Sequence, residues 1–200
     1  MARSAHDLFP TPPPVKLWRL PVDRYHQMLE VGIYSKNDRI ELLDGYLVHT
    51  TPRTVLEADV TIQFAERLDT FLGDDWIVCS RSPVTLATSE PEPDLVVVRG
   101  PEARYDRAHP HPKDISLVVE VADSSLDYDR RFKNPVYAAA KIPTYWIVSL
   151  PEKRLEVYAS PKGGKNPAYR SCDRYAQDDR VPVILKGERV GEVELAGVFG

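Results

Sequence analysis

The sequence predicts one mixed α/β domain, a central sheet of buried strands with a helix packed on each face. Three observations carry that expectation. Leu95 to Val98, Ile115 to Val121 and Tyr145 to Val148 are short apolar runs rich in β-branched and aromatic residues, which read as strands covered on both faces. Val60, Phe64, Leu68 and Phe71 recur at helical spacing between Thr54 and Leu72. A basic, helix-like segment, Asp129-Arg130-Arg131-Phe132-Lys133, follows the second apolar run and leads to a helix expected over Lys133 to Lys141.

Composition bounds the answer. A chain of 200 residues supports one sizeable core, with room for little more than a small appendage. No window approaches the roughly 18 to 20 apolar residues that span a bilayer, and the N-terminus lacks the pattern of a signal peptide, so a cytoplasmic location without membrane contact is expected. Cys79 and Cys172 are too few and too far apart to define a disulfide framework or a zinc site. A net charge of −4 argues against broad electrostatic wrapping of nucleic acid, while leaving room for a local basic groove.

Residues 1–20 read as an extended segment, because Pro10 and the Pro12-Pro13-Pro14 run disfavour a helix. The domain proper is expected over 21–197. Val22 to Val31 reads as a short helix with Tyr25, Leu29 and Met28 inward and Gly32 ending it. His26 in that helix reads as a surface or packing residue. Arg39 to Thr50 has the pattern of a β-hairpin turning at Asp44-Gly45. Glu41, on its incoming strand, faces solvent if the strand simply alternates. Gly73 closes the long helix, and Asp74-Asp75 turns the chain into a strand at Trp76 to Cys79.

Gly100 to Asp114 is a polar, proline-containing connection, expected as a loop near the rim of the sheet. Its His109-Pro110-His111-Pro112 does not resemble a tetrahedral zinc motif, since no further Cys or His lies at ligand spacing. Beyond the third apolar run, a hairpin is expected through Pro151-Glu152-Lys153 into Leu155 to Tyr158. Ser160 to Arg170 reads as an exposed loop, and Val181 to Leu185 with Val190 to Leu195 as a closing hairpin around Gly187.

The chemistry concentrates between Pro91 and Ile147. Asp94 enters the first buried run and Glu120 interrupts the second. A carboxylate at the end of a buried strand must be paired, protonated or bound to a cation. Two carboxylates and a lysine suit metal-assisted phosphodiester hydrolysis, with Asp94 and Glu120 holding the ion and Lys133 orienting water or offsetting charge. Simpler roles stand beside this one. Asp94 could start a turn after Pro93, and Glu120 could pair with Arg130, Arg131 or Lys133.

Taken together, Glu41-Leu42-Leu43-Asp44-Gly45-Tyr46-Leu47-Val48, Glu92-Pro93-Asp94-Leu95-Val96-Val97-Val98, Ile115 to Val121, Asp129-Arg130, Lys133, Tyr137-Ala138, Ile142 to Val148 and Leu155-Glu156-Val157-Tyr158 closely resemble the Uma2 (DUF820) family. The likeness runs in order over roughly residues 20 to 190. It implies a restriction-endonuclease-like core of the PD-(D/E)xK superfamily, with a mixed central sheet flanked by helices. It also implies that Asp94 and Glu120 are the metal carboxylates, that the lysine is Lys133 on the following helix rather than at Ala122, and that Glu41 is an additional acid. The sequence departs from the family in two places. Glu57 stands in register with a family histidine, and Pro135 falls inside the expected lysine-bearing helix, where proline costs about 3 kcal/mol. The helix is therefore expected to begin near Asn134, with Lys133 at its entrance.

The function so implied is metal-dependent hydrolysis of DNA phosphodiester bonds. Magnesium fits the oxygen donors, with manganese as an alternative. A homodimer is expected by analogy with double-strand cutters, with Trp18, Leu20 and Val198-Phe199 as interface material. Two other readings are a nuclease fold that binds nucleic acid or protein without turnover, and a phosphoesterase acting on a smaller substrate.

Overall fold

The computed structural model describes residues 18–199, and its centre is the buried sheet anticipated from the apolar runs. In chain order the elements are α1 (Val22–Glu30), β1 (Ile40–Leu43), β2 (Tyr46–His49), α2 (Val55–Asp69), β3 (Trp76–Ser80), β4 (Leu95–Arg99), β5 (Ile115–Ala122), α3 (Leu126–Tyr128), a π turn (Asp129–Lys133), α4 (Asn134–Ala139), β6 (Thr144–Ser149), β7 (Arg154–Lys162), β8 (Ala168–Ala176), β9 (Arg180–Leu185) and β10 (Glu188–Glu194). Among the described residues, no helix is long and apolar enough to cross a membrane.

Strands β3 to β8 form a six-stranded sheet in sequence order. Only β5 and β6 run parallel; every other neighbouring pair is antiparallel. A parallel pair needs a crossover connection, and here the α3–π turn–α4 segment supplies it. Every residue of β5 and β6 is buried, as expected for strands covered on both faces.

Each face has its own core. Val60, Phe64 and Leu68 of α2 pack with Leu95, Val97, Leu117, Val119, Trp146 and Val148, and the β9–β10 hairpin closes the same side with Val181, Val183 and Val193. On the opposite face Tyr137 and Ile142 pack with Val96, Val98, Val118, Tyr145 and Ile147. The two-residue strand period therefore places Val96, Val98, Val118 and Glu120 toward α4. A smaller cluster of Val22, Tyr25, Tyr34 and Leu42 ties α1 to the β1–β2 hairpin. Asp44 and Gly45 turn that hairpin with φ of 48° and 80°, the conformation for which an Asp-Gly pair is suited.

Three expectations are corrected. The loop expected over Ser160 to Arg170 is confined to 163–167, because β7 reaches Lys162 and β8 begins at Ala168. The polar composition reflects an edge strand that is exposed at most positions, rather than a loop. Val198 and Phe199 are buried in the α2-side core instead of offering interface surface; Trp18 is exposed and Leu20 half-buried. Glu41 is buried rather than solvent-facing, since β1 is covered rather than free on that side. As expected, α4 begins at Asn134 with Lys133 at its N-cap; unanticipated is that α3 and the π turn continue the helical path upstream to Leu126. Most of the extended segment expected over 1–20 lies outside the described residues; the Leu20 N–H donates to the Gly45 carbonyl at 2.9 Å.

Phe64 is fully buried between α2 and the sheet. Phe64→Ala is expected to lower stability by about 3–5 kcal/mol, read as a fall in the urea midpoint with an unchanged slope.

Candidate functional site

Adjacent strand ends bring the acids together. Leu95 pairs with Val119 in antiparallel register, so the next position outward sets Asp94 beside Glu120. Asp94 is not a turn residue: its Oδ2 accepts the Val121 N–H at 2.6 Å, which locks the β4 carboxylate onto the end of β5. Its Oδ1 pairs with Arg53, from the segment just before α2. Both acids line one open cleft of ≈ 790 Å³, along with Glu41, Lys133, Arg39, Arg53, Arg81, Glu57, Glu92, Tyr128 and Asp129.

Lys133 closes the constellation. Its buried Nζ donates to Glu120 Oε1 at 2.9 Å and lies 3.5 Å from Glu41 Oε1. Burial lowers its pKa, but the charges of Glu120, Glu41 and Asp129 outweigh burial and hold it above the ordinary lysine range. The ammonium is therefore charged at any working pH. Tyr137 also donates to Glu120 Oε1, at 2.8 Å. Burial and the neighbouring Glu120 charge raise the phenol well above its usual pKa, so it remains a neutral donor.

The aim of Lys133 depends on a distorted helix. Pro135 has no N–H to give to the previous turn, yet the chain upstream stays helical. Residues Asp129–Lys133 widen into a π turn, and the Asn134 N–H reaches the Asp129 carbonyl. Pro135 then falls in the first turn of α4, where proline is tolerated. Lys133 accordingly sits inside a continuous helical path, and its side chain is buried in the cleft.

Glu41 reaches the cleft from β1. One of its oxygens faces Lys133, while Oε2 is buried without a hydrogen-bond partner. Burial raises its pKa, Lys133 opposes that, and the Glu120 and Glu92 charges add to the rise. A buried carboxylate oxygen with nothing to accept from is costly to leave unmet. It shares the cleft with the Asp94 and Glu120 carboxylates, oxygen donors of the kind a hard divalent cation takes, but among the described residues only His26, Glu90 and His109 bring three such ligand atoms within 4.8 Å of one another.

All four residues singled out from sequence thus meet in one cleft. Of the alternative pairings considered for Glu120, the lysine is the one formed; Arg130 instead binds Glu156 and Glu152, and Arg131 pairs with Asp127 on the surface. Glu57 caps α2, its Oε2 accepting the Thr54 N–H at 2.6 Å while Thr54 Oγ1 accepts the Glu57 N–H. Its side chain belongs first to the helix N-terminus.

Sequence reading missed Arg53 and Asp129 as members of the cleft, and Tyr137 as the buried donor behind Glu120. Tyr137 and Asp129 stand within the family motifs, which was the available signal; Arg53 had none. A separate cluster was also missed. Glu90 lies against His26 and His109, whose ligand atoms are all within 4.8 Å of one another. The two histidines come from elements distant in sequence, so no ligand spacing announces them.

The chain matches the model of the family named Uma2, described as "Putative restriction endonuclease", over residues 22–187. Among solved structures, it resembles the crystal structure of a "putative nuclease belonging to DUF820" from Anabaena variabilis, with a TM-score of 0.63 and 12% identity over 90% of this chain and 97% of that one. At that identity the likeness is one of fold. No curated protein matches.

Asp129 offers a pH test of the cleft. Burial and the Glu120 charge push its carboxyl from an ordinary 3.8 up to about 7, against the lowering influence of Lys133 and the Ser125 hydroxyl. The folded state therefore holds this proton where the unfolded chain has lost it. The associated stabilisation is complete below about pH 4 and is lost as pH rises through about 7. In metal-free urea titrations, the stability of the unmodified protein relative to Asp129→Asn is expected to fall by up to about 4 kcal/mol across that window. A difference that stays flat with pH would contradict the assignment.

Proposed function

The chain belongs to the Uma2 family, and from that premise we propose that it is a divalent-metal-dependent nuclease hydrolysing phosphodiester bonds of DNA. One observation carries the reading. Asp94, Glu120, Glu41 and Lys133 line a single cleft, and within it a buried Glu41 oxygen has no partner in the protein. Asp94 and Glu120 are the primary metal carboxylates, Glu41 an additional donor, and magnesium or manganese the ion. Such an ion polarises the phosphate and lowers the pKa of an attacking water.

The chain's own groups have separable tasks. Lys133 and Tyr137 both donate to Glu120 Oε1, which orients that carboxylate and leaves Oε2 outside both bonds. The Val121 N–H fixes Asp94 through Oδ2, so Oδ1 is the oxygen that Arg53 must yield to a cation. A displaced Arg53 remains charged and lies in the same cleft as Arg39 and Arg81, where guanidinium groups suit phosphate oxygens. These arginines, set among the carboxylates of the cleft, support contact with phosphate once a cation is bound there. Lys133 offsets the negative charge that develops on the attacked phosphate.

Purified protein with magnesium or manganese is expected to nick or cut plasmid DNA, and chelation should stop it. Asp94→Asn and Glu120→Gln keep size but remove anionic ligands, and each should lower the cleavage rate by at least about 10²-fold. Lys133→Ala should cost a similar factor, and Glu41→Gln less. Circular dichroism on every variant separates lost chemistry from lost fold. Unchanged cleavage in Asp94→Asn or Glu120→Gln would sink the mechanism. Absence of cleavage on supercoiled and linear DNA, together with metal-independent DNA binding, would instead favour a nuclease fold used for binding.

Homodimerisation belongs to the same reading, since two sites are needed to cut both strands in one encounter. Val55, Leu56 and Ile62 leave an exposed apolar face on α2. Light scattering at assay concentration is expected to give twice the chain mass of 22.6 kDa; a monodisperse monomer would remove the dimer and leave single-strand nicking.

A further inference from the structure

Behind the cleft, three elements converge on one carboxylate. Glu90 is 2% exposed and forms an isolated bridge to Leu42, its N–H donating to the Leu42 carbonyl at 2.6 Å. It therefore backs the strand that carries Glu41 into the cleft. His26 arrives from α1 and His109 from the connection between β4 and β5, which is held nearby by the Thr85 N–H donating to the Pro110 carbonyl at 3.0 Å. His109 Nδ1 is 2.5 Å from Glu90 Oε1, and His26 Nε2 is 3.0 Å from the same oxygen.

Hydrogen bonding satisfies this arrangement only in part. His26 Nε2, 3.0 Å from Oε1, is buried and poorly aligned for a hydrogen bond, and Glu90 Oε2 is buried without a well-aligned one, although the Thr85 side chain also interacts with this carboxylate. The imidazole rings stand nearly perpendicular, at 87° with centroids 6.3 Å apart, so they approach the carboxylate from different directions. A small cavity of ≈ 80 Å³, lined by Glu90, His109 and Glu41 among others, adjoins the group.

We propose that His26, Glu90 and His109 form a second metal site, one that takes a zinc-class ion and fastens α1 and the β4–β5 connection to the strand behind Glu41. Two imidazole nitrogens and one carboxylate are the donors zinc favours, with a fourth position left for water. The oxygen donors of the cleft suit magnesium instead, so the two sites differ in chemistry as well as place. The Glu90 oxygen that lacks a well-aligned hydrogen bond becomes a second donor to the ion. His26 Nε2 gains the partner that the hydrogen-bond geometry denies it. The inference stands on this cluster alone and is independent of cleavage.

Zinc titration of chelator-stripped protein, in competition with a chromophoric chelator, tests it. We expect one tight equivalent per chain, retained in the Asp94→Asn/Glu120→Gln double variant, together with a zinc-dependent rise in melting temperature. His26→Gln and His109→Gln replace partly exposed side chains. Each should lower zinc affinity by at least about 100-fold and abolish the zinc-dependent rise, while the metal-free melting curve keeps a single cooperative transition. Affinity unchanged in either histidine variant, loss of the tight equivalent in the Asp94→Asn/Glu120→Gln protein alone, or no zinc uptake by the folded unmodified protein would overturn the proposal.

Discussion

A single buried ammonium makes the cleft electrostatically tolerable. Lys133 lies between Glu120 and Glu41 with Asp129 close enough to act on it, and all of these side chains are largely withdrawn from water. Removing ionised carboxylates from solvent is costly unless charge and hydrogen bonds offset it. One lysine cannot meet every oxygen around it. The deficit appears in two forms: Glu41 keeps an oxygen without a partner, and Asp129 is pushed toward protonation. Such a deficit of positive charge is what a cation-binding site looks like from the protein side, and Arg53 on Asp94 relieves another part of it.

The fold's main irregularity serves that lysine. In a regular helix Pro135 would remove a backbone bond and crowd the preceding turn. Winding Asp129–Lys133 as a π turn lets the helical path continue through this region and sets Lys133, Tyr137 and Asp129 around the end of β5. π turns are rare and frequently mark functional positions. The parallel β5–β6 pair supplies the reason the helix passes here, because its crossover must lie over one face of the sheet. Around this rigid centre, the other cleft groups come from less regular chain: Arg53 before α2, Arg81 after β3, and Arg39 at the start of the hairpin.

The opposite side of the crossover helix shows what a satisfied charge network looks like. Glu156 is fully buried, but Arg130, Arg174 and the Tyr158 hydroxyl all bond its carboxylate. Burial alone would raise its pKa; the Arg130 bond and its companions carry it below the usual value. Adjacent residues on one helical segment thus reach two different carboxylate centres. One centre has its acceptors met by the chain, whereas the other retains an unmet Glu41 oxygen.

Much of this was legible in the chain itself. Continuous apolar runs announced β4, β5 and β6, because strands covered on both faces need no polar alternation. Helical spacing announced α2, and Asp44-Gly45 announced the first hairpin. Carboxylates interrupting buried runs, with the family's ordered motifs, pointed to Asp94, Glu120, Lys133 and Glu41. The edge strand β8 was not legible, since an exposed strand carries the polar composition of a loop. The local rule for Pro135 placed the start of α4 at Asn134 but gave no sign of the π turn that carries the helical path on upstream. The sequence by itself determined the buried strands, the principal helices and the acids that had to be paired, protonated or bound to a cation. Only the tertiary structure decided that Arg53 would hold Asp94, that Glu41 would be buried beside Lys133, and that His26, Glu90 and His109 would converge, because those contacts join residues through space with no periodicity or spacing along the chain to reveal them.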